Sequence, residues 1–182
     1  MAEQNNLIVY CEYEDGKVAD VSLELLTKGR SLATQLGVKL QAIVAGDKLE
    51  GIENQLFPFG VDTVYKVEDA RLYPYTSLPH SSILINLFKE IKPQIAFMGA
   101  TSIGRDLGPR VSSCLHSGLT ADCTSLEIGK SVFFSVSKAY TNAIGQRKEF
   151  QIYQFHRCFS PQLVNIRRRC KKKRAAFNSV FN

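Results

Sequence analysis

The sequence has no run of apolar residues that could cross a membrane as a helix, which takes about 18 residues. We therefore expect no membrane insertion. Residues 1–6 are polar and precede a single short apolar run, an order that does not fit a secretory signal. The five cysteines form no Cys-x-x-Cys pair and are odd in number, which argues against a disulfide framework or a zinc site. A reducing, cytoplasmic setting is the location we expect.

The usual short signatures of catalysis and phosphate binding are also missing. The chain has no Gly-x-Ser-x-Gly elbow, no P-loop and no Gly-x-Gly-x-x-Gly fingerprint. Its three histidines lack metal-ligand spacing to a cysteine or a carboxylate. Cys114 and His116 are two apart on one predicted helix and so point to different faces. We expect no catalytic residue, no metal site and no self-contained enzyme.

The composition and the charge indicate one ordinary domain followed by an unlike segment. With 182 residues, 45% hydrophobic and 22% charged, the chain can bury a core and is not disordered throughout. Residues 1–129 carry a net charge of −5, whereas residues 130–182 carry +11. The basic run at residues 167–174 would bind polyanions weakly and with strong salt dependence. Nearby aromatic residues form no motif, so we expect no specific nucleic-acid partner.

Short apolar runs with β-branched members alternate along residues 7–128 with stretches of helical period. Asp20 is predicted to cap the first helix and Gly37 to end it. The predicted strands span residues 7–11, 38–45, 63–67, 95–98 and 119–128, and the predicted helices span residues 21–36, 50–57, 81–91 and 104–116. This alternation with short connections predicts an α/β fold, a Rossmann-like parallel sheet with helices on both faces.

The loop after the fourth strand is the first candidate site. Ligands of open parallel sheets lie beyond the carboxyl ends of the strands, beside helix N-termini. Gly99 and Gly104 would let a ligand or partner approach the backbone, and Thr101 and Ser102 supply hydroxyls. Exposed N–H groups at the helix start would favour an anion. Simple turn chemistry explains the same residues without a ligand.

Charged and polar residues follow this loop. Asp106 and Arg110 are four apart and can pair on one helix, whereas Arg105 and Asp106 project about 100° apart. These residues form either a solvated helix face or a charged surface that positions a partner. In the last predicted strand, Thr120 and Asp122 alternate with small residues.

Two segments carry a resemblance to a known family. They are Met-Gly-Ala-Thr-Ser-Ile-Gly-Arg-Asp-Leu-Gly-Pro-Arg at residues 98–110 and Gly-Leu-Thr-Ala-Asp-Cys-Thr-Ser-Leu-Glu-Ile at residues 118–128. Residues 9–12, 21–26, 59–62 and 92–94 support them. Over residues 6–129, about two-thirds of the chain, the sequence closely resembles the electron transfer flavoprotein alpha subunit.

The resemblance implies an electron carrier. Family members pair an alpha with a beta subunit, accept electrons from acyl-CoA or other flavin dehydrogenases, and pass them to the respiratory chain or other acceptors. Their alpha N-terminal domain mainly contacts the beta subunit, while FAD is held chiefly by a separate C-terminal domain. The resemblance therefore makes the following residues candidates for a loop or partner-facing surface: Gly99, Thr101, Ser102, Gly104, Arg105, Asp106, Arg110, Thr120 and Asp122.

The sequence departs from the family after Gly129. The Arg-Pro-Ala-Phe-Gly-Gly-Asn segment that precedes the family's FAD domain is absent there, and the chain stops at Asn182. We therefore expect residues 1–129 to form the N-terminal α/β domain of a truncated alpha subunit that does not bind FAD by itself. Residues 130–182 are predicted to be a basic, atypical tail, poorly ordered or frame-shifted. The alternative is a stand-alone adenine-nucleotide-binding domain with residues 99–104 as its phosphate site.

Overall fold

The computed structural model describes residues 6–123, 126–128, 134–135 and 150–154, and the side chains of residues 6–120 and 126. The strands are β1 Asn6–Cys11, β2 Tyr13–Glu14, β3 Lys17–Val18, β4 Lys39–Gly46, β5 Thr63–Glu68, β6 Ile95–Gly99, β7 Gly118–Cys123, β8 Glu127–Ile128, β9 Phe134–Ser135 and β10 Phe150–Gln154. The helices are α1 Asp20–Leu36, α2 Glu53–Leu56, α3 Ser77–Ile91 and α4 Ser102–Leu115, with 3₁₀ turns at Phe57–Phe59 and Ala70–Leu72.

The main sheet confirms the predicted fold class. Its strand order is β5-β4-β1-β6-β10-β7, and the four strands β5, β4, β1 and β6 are parallel. Two short antiparallel pairs, β2 with β3 and β8 with β9, lie outside this sheet. The parallel strands are joined through helices, as a Rossmann-like fold requires.

One strand of the sheet was not predicted. β10 lies between β6 and β7 and runs antiparallel to both. It comes from the segment that the charge pattern set apart as an atypical tail, and the division of the chain at residue 129 stays a prediction. The predicted strand at residues 119–128 is wrong in its length, because it is divided into β7 and the short β8.

The core has two layers because successive residues of a strand point to opposite faces of the sheet. Leu7 and Val9 of β1 pack with Leu25 of α1 on one face. Ile8 of β1 packs on the other face with Leu84 of α3 and Leu107 of α4. Helices therefore cover both faces of the parallel strands, and the chain positions its loops at the carboxyl edge of the sheet.

The prediction that Asp20 caps α1 is wrong. Ala19 is the N-cap, with no side-chain hydrogen bond, and Asp20 is the first helical residue. The N–H of Ala19 donates to the carbonyl of Glu12, which fixes the chain one residue before the predicted cap. The predicted end is confirmed: Gly37 is left-handed, with a φ of 67°, and its N–H donates to the last turn of α1.

Two other helices begin earlier than predicted. α3 begins at Ser77 rather than at Ser81, because Pro79 falls in the first turn, where a missing N–H breaks no helical hydrogen bond. α4 begins at Ser102 rather than at Gly104, and Thr101 is its N-cap. The helix predicted at residues 50–57 is the single turn α2 followed by a 3₁₀ turn. No helix among the described residues is long and apolar enough to span a bilayer.

Candidate functional site

The strand order reverses between β1 and β6. From β1 the chain moves outward to β4 and β5, and then crosses back to place β6 on the other side of β1. In doubly wound sheets, the crevice at such a point is the usual ligand site. Glu12 directly follows β1, and Thr101 lies two residues beyond β6, so both stand at this crevice.

Glu12 and Thr101 are joined across the crevice. The hydroxyl of Thr101 donates to Oε1 of Glu12 at 2.6 Å, and the hydroxyl oxygen of Thr101 itself accepts the N–H of Gly104 at 3.1 Å. Thr101 therefore acts as the N-cap of α4 and as a link to β1 at once. The side chain of Glu12 is buried, with a relative exposure of 7%.

Two glycines make this close approach possible. A Cβ on Gly104 would lie 1.8 Å from the carbonyl oxygen of Gly99, far inside the closest approach of two non-bonded atoms. A Cβ on Gly99 would lie 3.0 Å from Oε1 of Glu12 and 3.1 Å from the side chain of Val21. Gly104 therefore requires glycine for packing, and Gly99 is tightly packed against two side chains. The sequence alone did not separate this structural need from ligand approach.

The backbone of Glu12 is held as firmly as its side chain. Its N–H donates to the hydroxyl of the fully buried Ser22 at 2.9 Å, and its carbonyl accepts the N–H of Ala19, also at 2.9 Å. Burial raises the pKa of Glu12, while the hydrogen bond from Thr101 lowers it. Glu12 thus connects β1, the start of α1 and the start of α4, and it fills the crevice with a carboxylate.

A second cluster surrounds Asp106 of α4. Its carboxylate accepts from the hydroxyl of Ser77, from the hydroxyl of Tyr75 at 2.7 Å and from Nε of Arg110 at 2.9 Å. Ser77, Arg110 and Tyr75 together lower the pKa of Asp106 to about 2. Burial and the neighbouring carboxylate raise the pKa of Tyr75 to about 12. The predicted pairing of Asp106 with Arg110 is confirmed, and the cluster joins α4 to the start of α3.

An open groove lies beside this second cluster. Leu78, at the start of α3, is 70% exposed, the most exposed of the large apolar side chains among the described residues. The guanidinium of Arg110 stands at the groove with half of its side chain exposed. The residues that line the groove are Arg71, Tyr75, Thr76, Ser77, Leu78, Pro79 and Arg110.

The other predicted site residues lie apart from the crevice. Ser102 is exposed at the start of α4, and Nε of the exposed Arg105 donates to the carbonyl of Ala100 at 3.1 Å. Thr120 is exposed on β7, which β10 separates from β6. Asp122 is also on β7, and its side chain lies outside the described residues.

The structure thus groups the predicted residues into two sets and adds members to each. Gly99, Thr101 and Gly104 meet at Glu12, whereas Asp106 and Arg110 meet at Tyr75 and Ser77, which the sequence did not single out. The position of Glu12, directly after a buried strand, was the one signal that could have identified it. Nothing in the pattern around Tyr75 and Ser77 distinguished them from an ordinary loop.

The described cysteines and acidic residues form no metal-binding arrangement. Within residues 6–120, no three side chains of histidine, cysteine, aspartate or glutamate are grouped to hold a metal ion. Cys11 is buried and Cys114 is exposed, and neither is in a disulfide. Burial raises the pKa of the Cys11 thiol, which disfavours its reactive thiolate form.

Comparisons with known proteins agree on one family. The family model of the electron transfer flavoprotein domain matches residues 7–169. The chain is 42% identical over 127 residues to electron transfer flavoprotein subunit alpha of Clostridium acetobutylicum, covering 70% of this chain and 38% of that protein.

Two further relatives carry related names. Identity is 44% over 128 residues with Protein FixB of Clostridium saccharobutylicum, covering 70% of this chain and 38% of the relative. It is 42% over 120 residues with acryloyl-CoA reductase electron transfer subunit beta of Anaerotignum propionicum, covering 66% and 33%. The chain thus spans between 33% and 38% of the length of these relatives.

Proposed function

We propose that this chain, which belongs to the electron transfer flavoprotein family, serves as an alpha-type electron transfer subunit whose α/β domain binds a beta-type subunit. The observation that carries this proposal is the 42% identity across the α/β domain to a relative named as an alpha subunit. The fold is consistent with it, because the described parallel sheet lies almost wholly within residues 7–169, which the family model matches.

The β1/β6 crevice does not fit the diphosphate of FAD. A diphosphate placed at the start of α4 would meet the buried carboxylate of Glu12, and the N–H of Gly104 is already bonded to Thr101. We therefore propose that any FAD of the complex is held outside residues 6–128. The flavin would supply the redox chemistry, and this domain would contribute position and contact, so the chain is a carrier subunit rather than a self-contained enzyme.

We propose that the beta-type subunit contacts the exposed surface around the start of α4 and the neighbouring groove. Arg105 is held against the carbonyl of Ala100, and Arg110 is held by Asp106, so both guanidinium groups are ordered before binding. Ordered side chains lose less entropy when a partner binds. The exposed Leu78 adds an apolar contact of the kind that interfaces bury.

The setting of this activity follows from the same family. We propose a cytoplasmic complex that accepts electrons from acyl-CoA or other flavin dehydrogenases and passes them to the respiratory chain or another acceptor. Binding of a beta-type subunit by the α/β domain does not depend on which donor or acceptor is used. Subunit binding and electron transfer can therefore be tested separately.

The direct test is co-purification. The full chain and the beta subunit from the same organism are expressed together, and the mass of the complex is measured by size-exclusion chromatography with light scattering. We expect one-to-one co-elution with the chain folded. A folded chain that elutes alone at concentrations well above 1 μM would overturn the proposal, because subunits of a stable carrier must stay together at such dilution.

The alternative, a stand-alone adenine-nucleotide-binding domain, is favoured by the general rule for doubly wound sheets. The occupation of the crevice by Glu12 is the observation against it. Micromolar binding of AMP or ATP by the natural chain would favour this alternative.

A further inference from the structure

We propose that Glu12 is a specificity-determining residue, which closes the crevice between β1 and β6 to nucleotide phosphates by keeping its own carboxylate there. The proposal goes beyond subunit binding, since it assigns a role to a residue of the crevice rather than to the partner surface. It rests on the position, the bonding and the packing of this one side chain.

The position is the one that a phosphate would use. Parallel sheets of this kind bind ligands where the strand order reverses, and phosphate groups lie against the start of the helix that follows. In this chain that point lies between β1 and β6, and the helix is α4. Glu12 reaches it from β1 and bonds to Thr101, the N-cap of α4.

The bonding makes Glu12 an acceptor at that point. The hydroxyl oxygen of Thr101 accepts the N–H of Gly104, so its single O–H is free to donate to Oε1 of Glu12. A carboxylate that accepts such a bond repels a second anion, and the repulsion is strong where little water screens it. The side chain of Glu12 is 7% exposed, so such screening is small here.

The packing holds the carboxylate of Glu12 close to the end of β6. Gly99 lies so close to Glu12 that even a single added carbon would be 3.0 Å from Oε1. The backbone of Glu12 is bonded to Ser22 and Ala19, and its carboxylate is held by the hydroxyl of Thr101. A phosphate at this crevice therefore has to displace the carboxylate of Glu12 from its hydrogen bond with Thr101.

The test uses two substitutions in the full chain. Glu12→Gln removes the charge, keeps the size and can still accept from Thr101. Glu12→Ser removes the charge and also opens space. Glu14→Gln, on the exposed hairpin strand β2, makes the same change in net charge and is the matched control. AMP and inorganic phosphate are titrated by calorimetry at fixed ionic strength, and folding is checked by circular dichroism.

We expect no measurable AMP binding by the natural chain or by Glu14→Gln. Glu12→Ser should bind AMP at least tenfold more tightly than the natural chain. The affinity of Glu12→Gln for AMP should lie between those of the natural chain and Glu12→Ser. If the Glu12 variants bind phosphate as well as AMP, the increase in affinity comes from the anion position. If they bind AMP alone, the increase depends on the whole nucleotide.

Two results would overturn the proposal. One is a folded Glu12→Gln and Glu12→Ser pair that bind AMP no more tightly than the natural chain does. The other is AMP binding by the natural chain that is as tight as in Glu12→Ser. Because Glu12→Gln keeps the size of the side chain, it is expected to fold even where Glu12→Ser does not. None of these results depends on whether the beta-type subunit binds, so a failure here is distinguishable from a failure of the proposed function.

Discussion

Glu12 and Thr101 are 89 residues apart in the chain, and the hydroxyl of Thr101 donates to the carboxylate of Glu12 at 2.6 Å. Each residue follows a central parallel strand, so the bond ties together the two loops at the point where the strand order reverses. The same hydroxyl caps α4. In doubly wound folds this crevice usually binds a ligand, whereas in this chain a hydrogen bond between two side chains joins its two loops.

Replacing Thr101 should therefore be costly. Thr101→Ala removes the cap of α4 and leaves the buried carboxylate of Glu12 without this donor, a loss of about 2–4 kcal/mol in the free energy of unfolding. Thr101→Ser keeps the hydroxyl and should recover most of that loss. Urea unfolding followed by circular dichroism measures both variants. Ser102→Ala, at the exposed neighbouring position, is the control, and an equal effect there would contradict this account.

Gly104 is predicted to be intolerant of any side chain. Gly104→Ala places a Cβ 1.8 Å from the carbonyl oxygen of Gly99, so the start of α4 must move away from β6. We expect a loss of about 3 kcal/mol, since the overlap involves backbone atoms that cannot rotate aside. Thermal unfolding compared with Ser113→Ala, an exposed position on α4, checks this. A Gly104→Ala chain as stable as the natural one would show that the loop relaxes freely.

The stability of the chain should fall in acid partly through Asp106. Its pKa is lowered from 3.8 to about 2 by Ser77, Arg110 and Tyr75, so the folded state binds the proton less tightly than the unfolded state does. The stabilisation is present above about pH 4 and is lost as the pH falls toward 2. Asp106→Asn should be less stable at neutral pH and should lose less stability across that window. Parallel slopes of unfolding free energy against pH for the natural chain and Asp106→Asn between pH 5 and 2, measured by urea titration, would refute this.

Much of the parallel sheet could be predicted from the sequence. The apolar run at residues 7–11 and the period of α1 are strong patterns, and the structure places β1 and α1 there. The predicted helix at residues 81–91 begins four residues later than α3, because Pro79 fits a loop as well as a helix. A proline also occurs commonly in the first turn of a helix, so its position alone does not distinguish a loop from a helix start.

The candidate site could be predicted only in part. The loop with Gly99, Thr101 and Gly104 was found from its place after a strand, and the pair of Asp106 and Arg110 from its spacing. Glu12 was missed as a site residue, because a single carboxylate after a strand forms no pattern until the neighbouring strand is known. β10 was missed because it joins the sheet between two strands that precede it in the chain.

Leu78 offers the sharpest test of the proposed partner surface. Its side chain is 70% exposed at the start of α3, beside Arg110, so it contributes little to the stability of the chain by itself. A side chain that a partner buries near the centre of an interface can contribute more than 1 kcal/mol to binding. Leu78→Ala should therefore weaken binding of the beta-type subunit about tenfold, which corresponds to roughly 1.4 kcal/mol.

Phe57 provides the control, because it is also large, apolar and exposed, with 46% of its surface accessible, and it lies after α2, outside the groove. Phe57→Ala should leave the affinity unchanged, and both variants should unfold within about 0.5 kcal/mol of the natural chain. Affinity is measured by calorimetric titration of each variant with the beta-type subunit. If Phe57→Ala weakens binding and Leu78→Ala does not, the partner contacts the surface after α2 instead of the groove. If neither does, exposed apolar contacts at both sites are excluded, and the contact has to come from the remaining surface of the domain.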